Sequence, residues 1–232
     1  MVKDVVTQYE SLSQRAVELA VNPNRQELDQ VVLDLKDTIL QHNLACLAAP
    51  QIGYNRRVFC LNFSGDIRAF INPMIVKVEG LRLSREHCES LEGEYIIPRH
   101  QEVIMTFQTP VGKMETNKFT EEAAALVEQC QDLLDGVLLC DYGLKIDEAF
   151  DQASEEEREE VLTAYLQALE NTLTNLNHEI EQDETLKKTR DAIDFMESVA
   201  KGETHLEEKP MKLNRATRRL IDKWTKKKRK IH

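Results

Sequence analysis

Three positions in the middle of one helix have the spacing that a metal-dependent hydrolase uses. Gln129, Cys130 and Leu133 lie at positions i, i+1 and i+4 of residues 121–139, EEAAALVEQCQDLLDGVLL. In the pattern H-E-x-x-H, two histidines on one helix face bind a single metal ion, and the glutamate beside them carries protons. Here an amide, a thiol and an isobutyl group occupy the three positions. The helix by itself therefore predicts no metal chemistry.

The helix is predicted from its apolar periodicity. Apolar residues recur every three or four positions and form a single stripe, which is typical of an amphipathic helix. The stripe consists of Leu126, Val127, Cys130, Leu133, Leu134 and Val137. Gly136 lies within the last turn or just past it, where a helix often ends. Taken alone, the pattern indicates an ordinary buried helix.

The segments that must position this helix alternate between helix and strand signals. Periodic apolar residues predict helices over residues 5–21 and 25–41. Strands are predicted over residues 57–62, 69–77, 80–90 and 101–109, and a short one over residues 136–141. Residues 1–143 are therefore predicted to form an α+β domain, with an amphipathic helix laid across an antiparallel sheet.

Composition narrows the class of protein. The chain has 232 residues and is 41% hydrophobic, which is enough for a packed core. No apolar run approaches the roughly 20 residues of a membrane span, and the first residues lack the apolar region of a secretory signal. Five cysteines, an odd number without framework spacing, suggest reduced thiols. We therefore expect a cytoplasmic protein.

Charge is distributed unevenly along the chain. The net charge is −11, yet residues 209–232 contain eleven lysines and arginines against one acid, a net +10. Residues 144–208 carry a net −13 and residues 1–143 a net −8. Such asymmetry between segments is typical of an interaction tail.

Three short stretches, taken in order, resemble the signatures of peptide deformylases. Residues 47–53, LAAPQIG, are similar to the first signature, G-x-G-L-A-A-x-Q, and residues 86–90, EHCES, to the second, E-G-C-L-S. Residues 129–136, QCQDLLDG, take the place of the third, H-E-x-D-H-L-x-G. The resemblance implies a fold in which antiparallel sheets pack around a central helix.

The family's chemistry is the metal-assisted removal of a formyl group from the N-terminal methionine of new chains. One cysteine and two histidines hold a divalent ion, a glutamate shuttles the proton, and a glutamine polarises the formyl oxygen together with a backbone N–H. The positions of this chain that match the family's site are Gln51, Cys88, Glu89, Arg99, Gln129, Cys130 and Leu133.

The matched positions keep little of that site. Gln51 matches the formyl-binding glutamine, Cys88 the thiolate ligand, and Arg99 an arginine near the substrate cleft. Gln129 and Leu133 replace the two histidines, and Cys130 replaces the glutamate. We therefore expect no bound metal cofactor, because a catalytic site needs three good ligands. The resemblance therefore favours a protein without deformylase activity, and an active enzyme remains the alternative.

Three cysteines map close to the matched site. Cys46, Cys88 and Cys130 could form a new thiol site, either a metal site or a redox pair. Cysteine also behaves as a small hydrophobic residue on a buried face, and the apolar surroundings of Cys46 and Cys130 favour that interpretation.

The C-terminal third is predicted to be all helical, with an acidic arm over residues 144–202 and a basic tail over residues 203–232. Ser154 and Glu157 have the spacing of a capping box at the start of a helix. A heptad seam follows, formed by Leu162, Leu166, Leu169, Leu173, Leu176 and Ile180. The seam is expected to belong to a helical hairpin that packs on itself or on the first domain, or to pack against a second copy of the chain as a homodimer.

The basic tail predicts binding to nucleic acid, because phosphate backbones attract such segments through counterion release. Its basic residues are Lys212, Arg215, Arg218, Arg219, Lys223, Lys226, Lys227, Lys228, Arg229 and Lys230. A solvated tail, an anionic membrane surface and the chain's own acidic arm are alternatives. The resemblance implies the ribosome and its rRNA as partner, since deformylases work there.

Three hypotheses follow. The first is an inactive deformylase-like protein that binds the ribosome through its tail. The second is an enzyme, either a residual deformylase or a thiol-dependent hydrolase that uses Cys88 or Cys130. The third is a structural protein that dimerises through the leucine seam.

Overall fold

The computed structural model describes residues 1–19 and 25–182, except for the side chains of residues 25, 173 and 176–182. It separates into two compact units, Met1–Asp151 and Gln152–His232. The strands are β1 (Cys46–Ala48), β2 (Val58–Phe63), β3 (Asp66–His87), β4 (Glu94–Gln108), β5 (Met114–Thr120) and β6 (Leu144–Ile146). The helices are α1 (Tyr9–Leu12), α2 (Arg25–His42), α3 (Glu121–Asp135), α4 (Leu139–Tyr142), α5 (Glu148–Gln152) and α6 (Glu155–Gln182).

The first unit is built on one antiparallel sheet in the order β1-β2-β3-β4-β5, with β6 pairing with the start of β4. The first residues of β3 pair with β2, and the remainder of β3 pairs with β4. This mixed architecture of a curled antiparallel sheet and helices confirms the predicted α+β fold class.

Strand β2 is buried on both faces, so two cores lie on opposite sides of it. Phe59 and Leu61 face the core that contains the apolar stripe of α3. Val58 and Cys60 face the core formed with α2. Because successive side chains of a strand point to opposite faces, one short apolar strand anchors both helices.

Helix α3 confirms the periodicity-based prediction. The helix ends at Asp135. Gly136 caps its C-terminus in a left-handed backbone conformation, with a φ of 72°. Burial of Val127, Cys130 and Leu134 fixes the face turned towards the sheet. The predicted helix over residues 25–41 is confirmed as α2.

Two predicted elements are wrong. Of the described residues 5–19 in the first predicted helix, only Tyr9–Leu12 are helical, because later residues pair with distant backbone. The Ala16 N–H donates to the Leu134 carbonyl, and the Arg57 N–H donates to the Val17 carbonyl. Residues 136–141 do not form a strand; α4 begins there, and the Leu138 N–H donates to Asp141 Oδ2 at 2.8 Å.

The strands also differ in extent from the prediction. The strands predicted over residues 69–77 and 80–90 are one continuous strand, β3, with register shifts near Asn72 and Val76 that bend it without ending it. Strand β5 was not predicted, because its sequence METNKFT is mostly polar and only Phe119 is buried. Its backbone pairs with β4 all the same.

In the second unit, the described part of α6 begins with the predicted capping box. Ser154 Oγ accepts from the Glu157 N–H at 3.3 Å, and the Ser154 N–H donates to Glu157 Oε2 at 2.8 Å. Leu162 and Leu169 are half-buried, whereas Leu166 is exposed. The second half of the proposed seam and the basic tail lie outside the described side chains.

Candidate functional site

The side chain of Gln51 is fixed at the base of a cleft in the first unit. The tight turn Ala49–Ile52 follows β1 and brings Gln51 back over it, so that Gln51 Oε1 accepts from the Ala48 N–H at 2.9 Å. Its Nε2 then points to Cys88 Sγ at 3.5 Å and to Ser90 Oγ at 3.2 Å. The structure thus brings together two residues that the sequence assigned to separate motifs.

Cys88 follows the end of β3 and is buried. Its Sγ accepts from the Gln51 amide, and burial raises the pKa of the thiol to about 11. A cysteine with this pKa is protonated at neutral pH and is a weak nucleophile. Hydrogen bonds with Ser90 oppose the effect of burial on this pKa without reversing it.

Helix α3 turns Gln129 into the same cleft. The Gln129 amide donates through Nε2 to the His87 carbonyl at 2.8 Å, and its Oε1 accepts from the Cys46 thiol at 3.5 Å. The nitrogen and the oxygen of this buried amide are therefore both hydrogen-bonded. Gln129 links the central helix to β1 and to the end of β3.

The other two positions of the helix motif contribute no polar group to the cleft. Leu133 lines it with an apolar side chain, and Cys130 is fully buried in the core beneath α3. Burial raises the pKa of Cys130 well above its usual value. The cleft has a volume of about 260 Å³ and is also lined by Leu44, Leu126 and the half-exposed Glu89.

Arg99 lies on β4 and is held inside the fold. Its guanidinium makes a paired contact with Glu86, at 2.8 Å from Nε and 2.9 Å from Nη2. Nη1 donates to Asp132 at 2.7 Å and to the Tyr142 hydroxyl at 2.9 Å. Burial would lower the pKa of Arg99, but the hydrogen bonds to Glu86 and the charge of Asp132 raise it, so the side chain stays charged.

Within residues 1–19 and 25–182, no group of three His, Cys, Asp or Glu side chains has the arrangement to hold a metal ion. The cleft is lined by amides, thiols, leucines, an alanine, His42 and a half-exposed pair, His87 and Glu89, whose Nε2 and Oε1 lie 3.6 Å apart. Ser90 was not assigned a role from the sequence, although it belongs to the motif EHCES. Its contact with Gln51 depends on the fold.

No helix in the described part of the chain combines the length and apolar character of a membrane-spanning segment. The predicted nucleic-acid-binding residues between Lys212 and Lys230 lie outside the described residues.

Comparison with solved structures identifies the fold. The crystal structure of the class I type b peptide deformylase from Acinetobacter baumannii with Met-Ala-Ser bound superposes with a TM-score of 0.57 and 24% identity, covering 60% of this chain and 98% of that one. At that identity the likeness shows a shared fold and no more.

Sequence comparison identifies the family. The peptide deformylase of Dictyoglomus turgidum is 31% identical over 121 residues, covering 52% of this chain and 79% of the relative. That of Fusobacterium nucleatum is 34% identical over 131 residues, covering 55% and 75%. A family model described as polypeptide deformylase matches residues 2–148. The chain therefore belongs to the polypeptide deformylase family.

Proposed function

We propose that this chain is a deformylase-family protein without deformylase activity, which acts as a ribosome-associated binding factor. The observation that carries the proposal is the set of side chains around Cys88. Gln129, Cys130 and Leu133 stand where the family's third signature has its two histidines and its glutamate.

The donor set around Cys88 does not suit a divalent metal. Leu133 has no lone pair, and the Gln129 amide is a poor ligand that is already hydrogen-bonded at both ends. Zinc sites use three or four good ligands from cysteine, histidine or carboxylate. Of the three positions that match the family's ligands, only Cys88 keeps such a donor, and burial raises the pKa of its thiol. In this proposal no metal cofactor is bound.

The loss of the glutamate acts independently of the metal. Cys130 is fully buried and its pKa is raised, so it does not replace a carboxylate that carries protons at neutral pH. Removing a general acid–base group lowers a reaction rate by about 10²–10⁴-fold. The missing metal ligands and the missing glutamate each predict a loss of deformylase activity.

The ligand that we propose for the cleft is an N-terminal methionyl segment. The Acinetobacter deformylase binds Met-Ala-Ser, and in this chain Leu126 and Leu133 give the cleft an apolar wall. An apolar wall with a few polar groups is the usual lining of a small-ligand pocket. Binding without turnover would let the protein recognise the N-termini of newly made chains.

The basic tail supports the ribosomal part of the proposal. Residues 209–232 carry a net charge of +10, and clustered lysines and arginines bind phosphate backbones in a salt-dependent manner. The family's substrate is made at the ribosome. RNA binding through the tail would bring the cleft near emerging N-termini.

Metal analysis and an activity assay test the catalytic part. The purified chain is expected to contain no stoichiometric zinc, iron or nickel and to leave formyl-Met-Ala-Ser intact. A variant that combines Q129H, C130E and L133H is the matched control, and it is expected to gain metal. Stoichiometric metal with turnover in the unaltered chain would refute the proposal.

Co-sedimentation tests the ribosomal part. The full chain is expected to sediment with ribosomes at low salt and to dissociate as salt is raised from about 50 to 200 mM, with both effects lost on deleting residues 209–232. A tail in which the basic residues are replaced by glutamine controls for length. Binding that survives the deletion would assign the interaction to another part of the chain.

An active deformylase is the second candidate, and family membership with retention of Gln51, Cys88 and Arg99 favours it. The assay above decides between the two. A homodimer formed through Leu162 and the following seam leucines is compatible with either function. Sedimentation equilibrium of the full chain, compared with the variant L162E/L169E, tests the dimer.

A further inference from the structure

Glu89 contributes a negative charge to the cleft. Among the described residues that line the cleft, it has the only carboxylate, and no lysine or arginine belongs to the lining. Its side chain is 43% exposed, so it lines the cleft and also reaches solvent. The second deformylase signature has a leucine at this position, which carries no charge. The cleft of this chain is therefore suited to a cation.

The Glu89 carboxylate has acceptors to spare for a ligand. Its Oε1 lies 3.6 Å from His87 Nε2, which is longer than a hydrogen bond. The other ring nitrogen of His87, Nδ1, contacts the Gly93 carbonyl at 3.1 Å. An ionised carboxylate has about four lone-pair sites for hydrogen bonds. A cationic donor in the cleft can therefore bind Glu89 without first breaking a strong contact to His87.

The amide that matches the formyl-binding glutamine already uses its donors within the fold. Gln51 is buried, and its Oε1 accepts from the Ala48 N–H, which fixes the orientation of the amide. Its Nε2 has two hydrogens and makes two contacts, with Ser90 Oγ at 3.2 Å and with Cys88 Sγ at 3.5 Å. A formyl oxygen that enters this cleft therefore finds the donors of Gln51 already taken.

A free N-terminal amine and a formylated one differ in charge and in hydrogen bonding. The α-amine of a peptide has a pKa of about 7.7–8.0, so at pH 7 most of it is an ammonium ion with three donors. Formylation removes the charge, leaves a single N–H and adds a carbonyl oxygen, which is an acceptor like the carboxylate itself. The apolar wall of the cleft meets the methionine side chain in both cases and does not distinguish the two forms.

We propose that the cleft selects methionyl N-termini whose amine is free over those that are formylated, with the Glu89 carboxylate accepting hydrogen bonds from the ammonium group. The inference rests on the proposed function, because it specifies which form of the methionyl segment the cleft binds. It places the protein after a deformylation reaction, as a protein that binds the product of that reaction and not its substrate.

Calorimetric titration of the full chain with three peptides, at pH 7 and low salt, tests the proposal. Met-Ala-Ser is expected to bind roughly 5–10-fold more tightly than formyl-Met-Ala-Ser, as a half-exposed charged hydrogen bond predicts. The desamino analogue of Met-Ala-Ser has neither an amine nor a formyl group, and it is expected to bind as weakly as the formylated peptide. Tight binding of this analogue would show that the cleft excludes the formyl group by size, and would overturn the proposal.

Variants of Glu89 assign the selection to its charge. E89Q keeps the shape of the side chain and removes the charge, and E89L restores the leucine of the signature. Both are expected to make the affinities for Met-Ala-Ser and formyl-Met-Ala-Ser equal. E92Q is the matched control, because Glu92 is an exposed acid near Glu89 that is not among the residues lining the cleft, and it is expected to keep the preference. A preference that survives E89Q would overturn the role of Glu89.

The outcomes also separate this inference from the proposed function. Equal affinities of the unaltered chain for the free and the formylated peptide would overturn the selection of the amine and leave the methionyl cleft as proposed. Binding of neither peptide would overturn both. Loss of the formyl group during the titration, detected by mass spectrometry of the peptide, would show deformylase activity and would likewise overturn both.

Discussion

The Gln129 amide donates to the His87 backbone carbonyl at 2.8 Å, across two elements that the cleft separates. A histidine at this position would turn a ring nitrogen towards a metal. The amide instead joins α3 to the end of β3 and uses its second atom to accept from Cys46. A position that serves catalysis in the family signature here holds the walls of the cleft together.

Replacement of Gln129 tests that structural role. We expect Q129A to lower the free energy of unfolding by about 1–3 kcal/mol, because the buried Gln129 side chain is lost and the His87 carbonyl loses its donor. Urea unfolding measures the change. Gln14 makes a hydrogen bond on the surface, to the Glu10 carbonyl, so Q14A is the matched control and is expected to change stability by less than about 0.5 kcal/mol. Equal effects of the two variants would contradict the role assigned to Gln129.

Replacement of Arg99 is expected to lower the stability of the first unit more than replacement of any other of its charged residues. R99M leaves Glu86 buried without its partner and removes a donor from Asp132, so we expect a loss of about 3–5 kcal/mol. R68A, which removes an exposed ion pair with Asp66, is the control and is expected to cost no more than about 1 kcal/mol. Chemical denaturation of both variants decides; a mild effect of R99M would mean that solvent reaches the network.

Asp34 predicts an acid-dependent loss of stability. Burial would raise its pKa, but hydrogen bonds from the Met1 amine, the Tyr54 hydroxyl and the Gln30 amide lower it to about 2. Because the folded pKa lies below the unfolded value of about 3.9, the contribution is complete above roughly pH 5 and is lost as the pH falls towards 2. Its size is on the order of 2 kcal/mol.

The variant D34N isolates that contribution. We expect it to be less stable than the unaltered chain at pH 6 and to differ from it less at pH 2.5, as measured by thermal unfolding at several pH values. D66N is the control, because Asp66 lies on the surface in a pair with Arg68. A constant difference between D34N and the unaltered chain across this range would show that Asp34 is not the group responsible.

The thiol of Cys88 gives a test that bears on function. With a pKa raised to about 11 by burial, it is expected to react slowly with iodoacetamide at pH 7.5 and faster as the pH rises above 9. Unfolding in guanidinium is expected to restore ordinary reactivity. Mass spectrometry of residues 86–99 follows the reaction. A Cys88 that resists alkylation at pH 10 until a chelator is added would indicate a metal-bound thiolate instead.

The sequence by itself predicted those elements whose structure follows from local patterns. Helices α2 and α3 and the capping box of Ser154 follow from apolar period and end signals, because a helix satisfies its own backbone and needs only one face buried. The alternation of helices and strands gave the α+β class. The three short motifs gave the family, which the match over residues 2–148 establishes.

Tertiary structure alone decided the segments whose backbone partners are distant. Residues 13–19 leave the predicted helix because their N–H and carbonyl groups pair with residues 55–57 and 134, and polar β5 is a strand because β4 offers it a backbone ladder. The contacts of Gln51 with Cys88, of Gln129 with His87 and of Cys46 with Gln129 were equally hidden. Each joins residues far apart in the chain, and a local pattern holds no information on which distant groups the folded sheet will bring within hydrogen-bonding distance.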